Sequence, residues 1–410
     1  MIINHMIPRG LDQSLRVALA DRPVVVLQGP RQSGKTTLAR ALTGRRYLTL
    51  DEASLLASAR ADPAGFLALH AGPIVIDEIQ MAPDLLPAVK LAVDRDRRPG
   101  RFLLTGSANA LVVPGLARSL VGRMEALTLW PLAQAELAGR GTNPLDAWLA
   151  PRFAPGSRGR ADRPGLARRM ATGGYPEAVA LAPARRGSWY ESYVGTILQR
   201  DVRELADIEG LTLLPRLLGV VAARATGLLN FADLSRTAGI PQSTLKRYLA
   251  LLEATFLVQM LPAWARSSKI RLIRAPKVVM GDTGLLCHLG AASERRLLED
   301  PVLFGRVLEN FVGMEVRKLA GWARLQPRLS HYRDVGGREV DLVLETPDGD
   351  AVGVEVKGAD TVGPHDFAGL KAFADAAGPR FLRGLLLYGG AEPAAFGPGF
   401  FALPVSDLWA

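Results

Sequence analysis

The octapeptide Gly29-Pro30-Arg31-Gln32-Ser33-Gly34-Lys35-Thr36, followed by Thr37, constrains this chain more than any other feature. It fits G-x-x-x-x-G-K-[ST] and stands between an apolar run, residues 24–28, and an amphipathic stretch, residues 36–43. That context predicts a buried strand, a tight loop and a helix. Small residues let the loop's backbone N–H groups turn inward around a phosphate. A helix opening near Gly34 aims its positive dipole end at the same point. Gly29 through Thr37 are therefore expected to bind a nucleoside triphosphate. In that reading Lys35 bridges its β- and γ-oxygens, and Thr36 offers a hydroxyl to Mg²⁺.

Ile74-Val75-Ile76-Asp77-Glu78 supplies the second half. Asp77 closes a buried apolar run and is expected to hold Mg²⁺ through water. Glu78 is expected to orient and activate the attacking water. A switch GTPase or a small-molecule kinase does not need that second acid, so the pair favours an ATP hydrolase. The competing reading makes Glu78 a cap for the helix that follows. A third run, residues 102–109, ends in Thr105, Ser107 and Asn109. Ser107 is the preferred γ-phosphate sensor of the three, although each also suits a turn. Arg118 and Arg123 follow. Arg123 is the preferred candidate for a cation supplied in cis or by a neighbouring subunit, set against an ordinary solvated arginine.

The runs 24–28, 47–50, 74–76 and 101–105, with helices at 36–43 and 85–93 between them, predict a doubly wound α/β domain over residues 1–137. Residues 138–164 are rich in Gly, Pro and Arg and read as a loop or linker, so 138–210 is expected to be linker and helical lid. A mostly helical unit, 211–290, and a second α/β unit, 291–410, complete the chain.

The order of these motifs resembles that of AAA-superfamily ATPases, in the prokaryotic group with a C-terminal domain called DUF4143. Gly29–Thr36, 74–80 and 104–107 are shared with many ATPases. The group-specific part is Gly173-Gly174-Tyr175-Pro176-Glu177, Gly281-Asp282-Thr283-Gly284-Leu285 and Glu339-Val340-Asp341. The resemblance implies an AAA-type core that binds and hydrolyses ATP.

Residues 231–238 read as a short helix, Gly239-Ile240 as a turn, and Pro241 as the opening of a second helix, 242–253. Leu234, Ala238, Ile240, Leu245, Leu249 and Leu252 form one core. Gln242, Ser243, Thr244, Lys246 and Arg247 are left outside, the polar and basic set of a recognition helix. The basic segment 266–271 is a candidate wing touching phosphate. Winged helices also pack as lids that touch no DNA, and that reading stays open.

Asp341, Glu355 and Lys357 follow a D…E-x-K pattern. Thr346-Pro347-Asp348-Gly349 predicts a three-residue hairpin loop with a bulge at Gly349. Thr346 then faces Asp350, and Asp341 lies directly opposite Glu355, with Lys357 on the same face. Facing carboxylates repel, and a divalent cation between them would remove the cost. Glu309, on the helix 302–320, is the expected third acid. This unit resembles the PD-(D/E)xK nuclease fold. An exposed hairpin with an ordinary Glu–Lys pair is the alternative.

Lys+Arg exceed Asp+Glu by 50 to 40, a formal net charge of +10, which suits an anionic partner such as double-stranded DNA or merely aids solubility. No apolar run approaches the ~20 residues of a membrane-spanning helix. The lone Cys287 and the lack of a signal-peptide pattern point to the cytoplasm. The histidines, among them His288 and His331, show no metal-ligand spacing.

The expected architecture is therefore α/β: a P-loop AAA-type core, a helical and winged-helix middle region, and a restriction-endonuclease-like C-terminal domain. The leading expectation is an ATP-driven protein acting on DNA. Its rival is an ATP-dependent switch or protein-interaction module, either homo-oligomeric or with a separate protein partner. A small-molecule kinase is disfavoured by length and by Glu78.

Overall fold

A computed structural model of the chain describes residues 7–107, 120, 122–155, 161–205, 211–266 and 274–409. β1 (Val24–Gln28) is buried along its whole length. It is the fourth strand of a parallel sheet ordered β2 (Arg46–Thr49), β3 (Ile74–Asp77), β4 (Phe102–Gly106), β1, β5 (Met124–Thr128). Alternate residues face opposite layers. Val24, Val26, Ile74, Ile76 and Leu104 pack against the helix Leu85–Arg95. Val25, Leu27, Val75 and Leu103 pack against the helices Leu11–Asp21 and Lys35–Arg40. Helices on both faces explain why these strands read as continuous apolar runs. Since β4 lies between β1 and β3, the ends of all three strands converge beside the glycine-rich loop.

The helix after that loop ends at Arg40, short of the predicted 43. β5 was not anticipated: it is a partly exposed edge strand, and Met-Glu-Ala-Leu-Thr carries no apolar run.

Residues 138–164 are expected as a loop or linker, and their described part is mostly irregular apart from one short helix, but it is anchored in the core. Asn143 caps a helix, Pro144–Trp148, and Trp148 is fully buried. The buried Arg383 guanidinium donates to the carbonyls of Ala147, Trp148, Ala150 and Pro151. Gly and Pro did mark irregular backbone, but Leu145 and Trp148 anchor it. A single core runs from Trp148 through Met170 and Tyr190 to Phe311, Leu344 and Leu385, so the helical region and the C-terminal sheet share one interior.

The helix pair Phe231–Ala238 and Gln242–Ala254 forms as expected, with Gly239 in the left-handed region at φ 70. β6 (Val258–Leu261) and β7 (Lys277–Met280) then pair antiparallel. Most of the candidate wing, 267–271, lies outside the described residues.

The long helix Pro301–Ala320 leads into a mixed sheet ordered β12 (Ala394–Ala395), β13 (Phe400–Pro404), β11 (Phe381–Tyr388), β10 (Ala351–Lys357), β9 (Glu339–Glu345), β8 (Arg328–Arg333). At the β9–β10 turn Thr346 donates its N–H to Asp350 O at 2.8 Å, and Gly349 has φ 87. Val354 pairs with Leu342, which carries Glu355 level with Asp341 as the turn chemistry predicts. Among the described residues no helix is long and apolar enough to cross a membrane.

Candidate nucleotide site

The loop needs its glycines. Gly29 has φ 149, and a Cβ there would lie 2.2 Å from Leu129 O; Gly34 has φ 99. Arg9 fixes the loop from outside. Its guanidinium donates to Ser33 O at 2.7 Å and Trp130 O at 2.6 Å, and it pairs with Glu136 at 3.0 Å. Lys35 is buried, and its ammonium donates to Gly29 O at 2.9 Å and Pro30 O at 2.8 Å. Burial pushes that ammonium down to about 8; Glu78 and Asp77 oppose the shift, and Arg31 adds to it.

Asp77 is ringed by hydroxyl donors. Thr36 Oγ1 donates to its Oδ2 at 2.9 Å, Tyr47 OH donates to the same oxygen, and Thr105 Oγ1 donates to Oδ1. Thr105 thus serves Asp77. Tyr47, unforeseen from sequence, is pushed up to about 12 by burial and by its bond to Asp77.

Glu78 takes a left-handed backbone, φ 60, at the end of β3. It makes no side-chain cap hydrogen bond to the short helix that follows, so the capping reading does not hold. Gln80 Nε2 donates to Glu78 Oε2 and, at 3.2 Å, to Ser107 Oγ. Burial raises the Glu78 carboxyl, while Gln80 and Lys35 oppose the rise. Glu78 and Ser107 are therefore joined through an amide that sequence reading left without a role.

Arg123 does not reach this site within its own chain. It precedes Met124, which is level with Val24 at the opposite end of β1, and its guanidinium pairs with Asp94. Asn109 and Arg118 lie outside the described residues. Arg31 belongs to the loop, and it makes a two-point contact with the buried Asp201, at 3.2 and 2.9 Å.

Residues 21–138 match the AAA domain family, and 304–408 match DUF4143, a domain of unknown function. The chain belongs to the AAA-type ATPases that carry a C-terminal DUF4143 domain. Residues 163–296 match a further domain of unknown function, DUF8612. Two similar relatives are the uncharacterized proteins Rv2008c of Mycobacterium tuberculosis and Mb2031c of Mycobacterium bovis. Each is 33% identical over 350 residues, covering 85% of this chain and 73% of the relative. A solved structure, the Walker-type ATPase PABY2304 of Pyrococcus abyssi, is 14% identical with TM-score 0.42, over 70% of this chain and 96% of that one. That likeness is too distant to bear on function.

Like the family it belongs to, this AAA-type protein binds and hydrolyses ATP. Its DUF4143 unit departs from the metal centre expected of Glu309, Asp341 and Glu355. Lys277, on β7 and 4% exposed, places its ammonium 2.7 Å from Glu309 Oε1 and 3.0 Å from Asp341 Oδ1. Asp341 Oδ2 accepts the Val356 N–H at 3.0 Å, and Lys357 pairs with Glu355 Oε1 at 2.9 Å. The Lys277 ammonium ties up Glu309 and Asp341, and Lys357 takes Glu355, so each of the three expected ligands is held by a lysine and these residues do not fit a metal. Among the described residues no group of three or more His, Cys, Asp or Glu is arranged to hold one. Burial and the Asp341 charge push Glu309 and Glu355 up to about 8. Burial alone would lower Lys277, but Asp341 and Glu309 raise it, so it stays charged.

In the helix pair, Gln242, Ser243, Lys246 and Arg247 are exposed and Thr244 is half-buried. The Lys246 ammonium sits 5.4 Å from the centre of the Phe231 ring.

Proposed function

We propose that this ATPase is a nucleotide-driven switch whose DUF4143 unit docks a partner and does not cleave nucleic acid. The observation that carries this reading is the Lys277 ammonium between Glu309 and Asp341. The buried ammonium occupies carboxylate oxygens of Glu309 and Asp341 that a metal would otherwise need as ligands.

At the nucleotide site the reading assigns Lys35 to the β- and γ-phosphates and the remaining loop amides to the phosphate chain. Thr36 and Asp77 would hold Mg²⁺, which supplies charge neutralisation at the phosphates. The donor set supports this, since a hydroxyl and a carboxylate oxygen already meet at 2.9 Å. Glu78 orients the attacking water and takes its proton. Ser107, through Gln80, reports the state of the γ-phosphate to Glu78.

A second reading keeps DNA contact at the helix Gln242–Ala254, because its outward face is polar and basic. It requires no cleavage. The deciding experiment measures ATP turnover with and without double-stranded DNA, with Lys35→Ala as the blank, and scores the DNA for cleavage in Mg²⁺ and Mn²⁺. Turnover indifferent to DNA and intact DNA are expected. Cleavage that Asp341→Asn abolishes would overturn the switch reading. Stimulation without cleavage would select the second reading.

A further inference from the structure

We propose that Arg31 is the cation that contacts the γ-phosphate of ATP, and that Asp201 holds it in reserve until a triphosphate arrives. This rests on the phosphate-loop reading above. Arg31 belongs to the loop itself, between Gly29 and Gly34, so its side chain starts beside the phosphates. Its charge is felt by both Lys35 and Glu78, the two groups that flank the reacting phosphate in that reading. Arg9 is committed to Glu136, Ser33 O and Trp130 O, and Arg123 sits at the far end of the sheet.

The pairing with Asp201 has the form such an exchange needs. Nε donates to Asp201 Oδ2 at 3.2 Å and a terminal nitrogen donates to Oδ1 at 2.9 Å. The guanidinium fork fits carboxylate and phosphate in the same two-point manner, so one can replace the other. ADP has no γ-phosphate to compete with Asp201. The exchange is therefore selective for the triphosphate.

Asp201 is placed by an unusual backbone. The helix Pro183–Thr196 runs into a π-helical turn, Ile197–Asp201, before resuming at Val202–Leu205. Such turns are rare and concentrate at functional sites. The Asp201 side chain is 5% exposed, so losing Arg31 leaves a buried carboxylate that must find another partner. The same helix carries Tyr193, whose OH reaches Arg31 O at 3.4 Å and Tyr175 OH at 2.8 Å. The Arg31 backbone is thus tied to the segment holding Tyr175 while its side chain is left to exchange partners. Asp201 is a positioning residue in this scheme; Arg31 is the contact.

The test compares binding of ADP and a slowly hydrolysed ATP analogue, together with ATP turnover, in the full chain and its Arg31→Ala, Arg31→Lys, Asp201→Asn and Lys35→Ala variants. Arg31→Ala is expected to bind ADP within about 3-fold of the parent, lose at least ~10-fold for the triphosphate, and lose roughly 10²–10³-fold in kcat. Arg31→Lys should recover part of both. Asp201→Asn removes the competitor and should tighten the triphosphate about 3–10-fold while leaving ADP unchanged. An unchanged ATP-to-ADP ratio and kcat in Arg31→Ala would overturn the proposal. So would Asp201→Asn weakening both nucleotides alike. Should Arg31→Ala not fold, Arg31→Lys and Asp201→Asn give the same decision. Lys35→Ala keeps the two readings apart: loss of both nucleotides there beside a normal Arg31→Ala sinks only the role of Arg31. Unaltered binding in Lys35→Ala would sink the loop assignment itself.

Discussion

Asp282 Oδ2 accepts the backbone N–H of Gly174 at 2.8 Å, across 108 residues of sequence. Its other oxygen accepts from Tyr190 OH at 2.8 Å and from Leu285 N–H at 3.1 Å, capping the helix Thr283–Leu289. The contact is tight: a Cβ on Gly173 would lie 2.2 Å from Asp282 Oδ1. Two motifs that look independent in the sequence, around Gly174 and around Asp282, are thus one joint between helical segments.

Removing that joint is expected to be costly. Asp282 is 1% exposed, so Asp282→Ala leaves the Gly174 and Leu285 N–H groups without their acceptor, turns Tyr190 OH to Thr172 O alone, and creates a small void. A loss of roughly 3–5 kcal/mol in unfolding free energy is expected from hydrogen bonds to a buried charge. Urea denaturation measures it directly. A loss below about 1 kcal/mol, the scale of an ordinary surface substitution, would mean that the joint does not hold the helices together.

What the sequence makes legible follows from how local each signal is. The Gly29–Thr36 loop, the end of β3 and the β9–β10 turn are set by neighbours a few residues away, and their placement could be read in advance. Arg9, Tyr47 and Lys277 were missed because their partners come from other elements: Glu136, Asp77 and Glu309. No periodicity announces such pairs. One signal did exist for Lys277, since lysine is scarce beside arginine in this chain and each lysine therefore carries information. Trp148 held a similar hint, because a large aromatic in a Gly/Pro-rich stretch needs somewhere to be buried.

The acid cluster around Lys277 predicts a pH dependence. Glu309 and Glu355 are pushed up to about 8 in the folded chain. Between about pH 5 and 8 the fold therefore retains a proton that the unfolded chain has released, and stability falls as pH rises through that window. Glu355 Oε2 is buried with no hydrogen-bond partner, so it contributes strain when charged. Glu78, Glu315 and Asp407 are raised as well, which makes the difference between parent and variant the useful quantity. Glu355→Gln should flatten the decline by about 1–3 kcal/mol between pH 5 and 8.5. Parallel urea series at those two pH values check it; identical slopes in parent and variant would refute it.

Arg383→Met tests whether residues 144–151 are structural. The guanidinium is bound to four carbonyls at the end of the Pro144–Trp148 helix, and its removal leaves them buried or forces them toward water. A loss of about 2–4 kcal/mol and faster proteolysis within 138–164 are expected. A linker would show neither change.

Glu78 separates binding from turnover. Its carboxyl is raised by burial, which makes it a stronger base than an exposed carboxylate, and Gln80 holds it in place. Glu78→Gln keeps the side-chain shape and removes the base. It should bind ATP within about 3-fold of the parent and lose roughly 10²–10⁴-fold in kcat. Gln80→Ala acts only through orientation, so a smaller loss in kcat with unchanged KM is expected. Glu78→Gly adds a check on the backbone. At φ 60 a glycine is unstrained, so this variant should fold with stability within about 1 kcal/mol of the parent while losing turnover. Single-turnover hydrolysis and thermal unfolding on the same samples distinguish these effects. Full turnover in Glu78→Gln would leave water activation to another group and remove Glu78 from the mechanism.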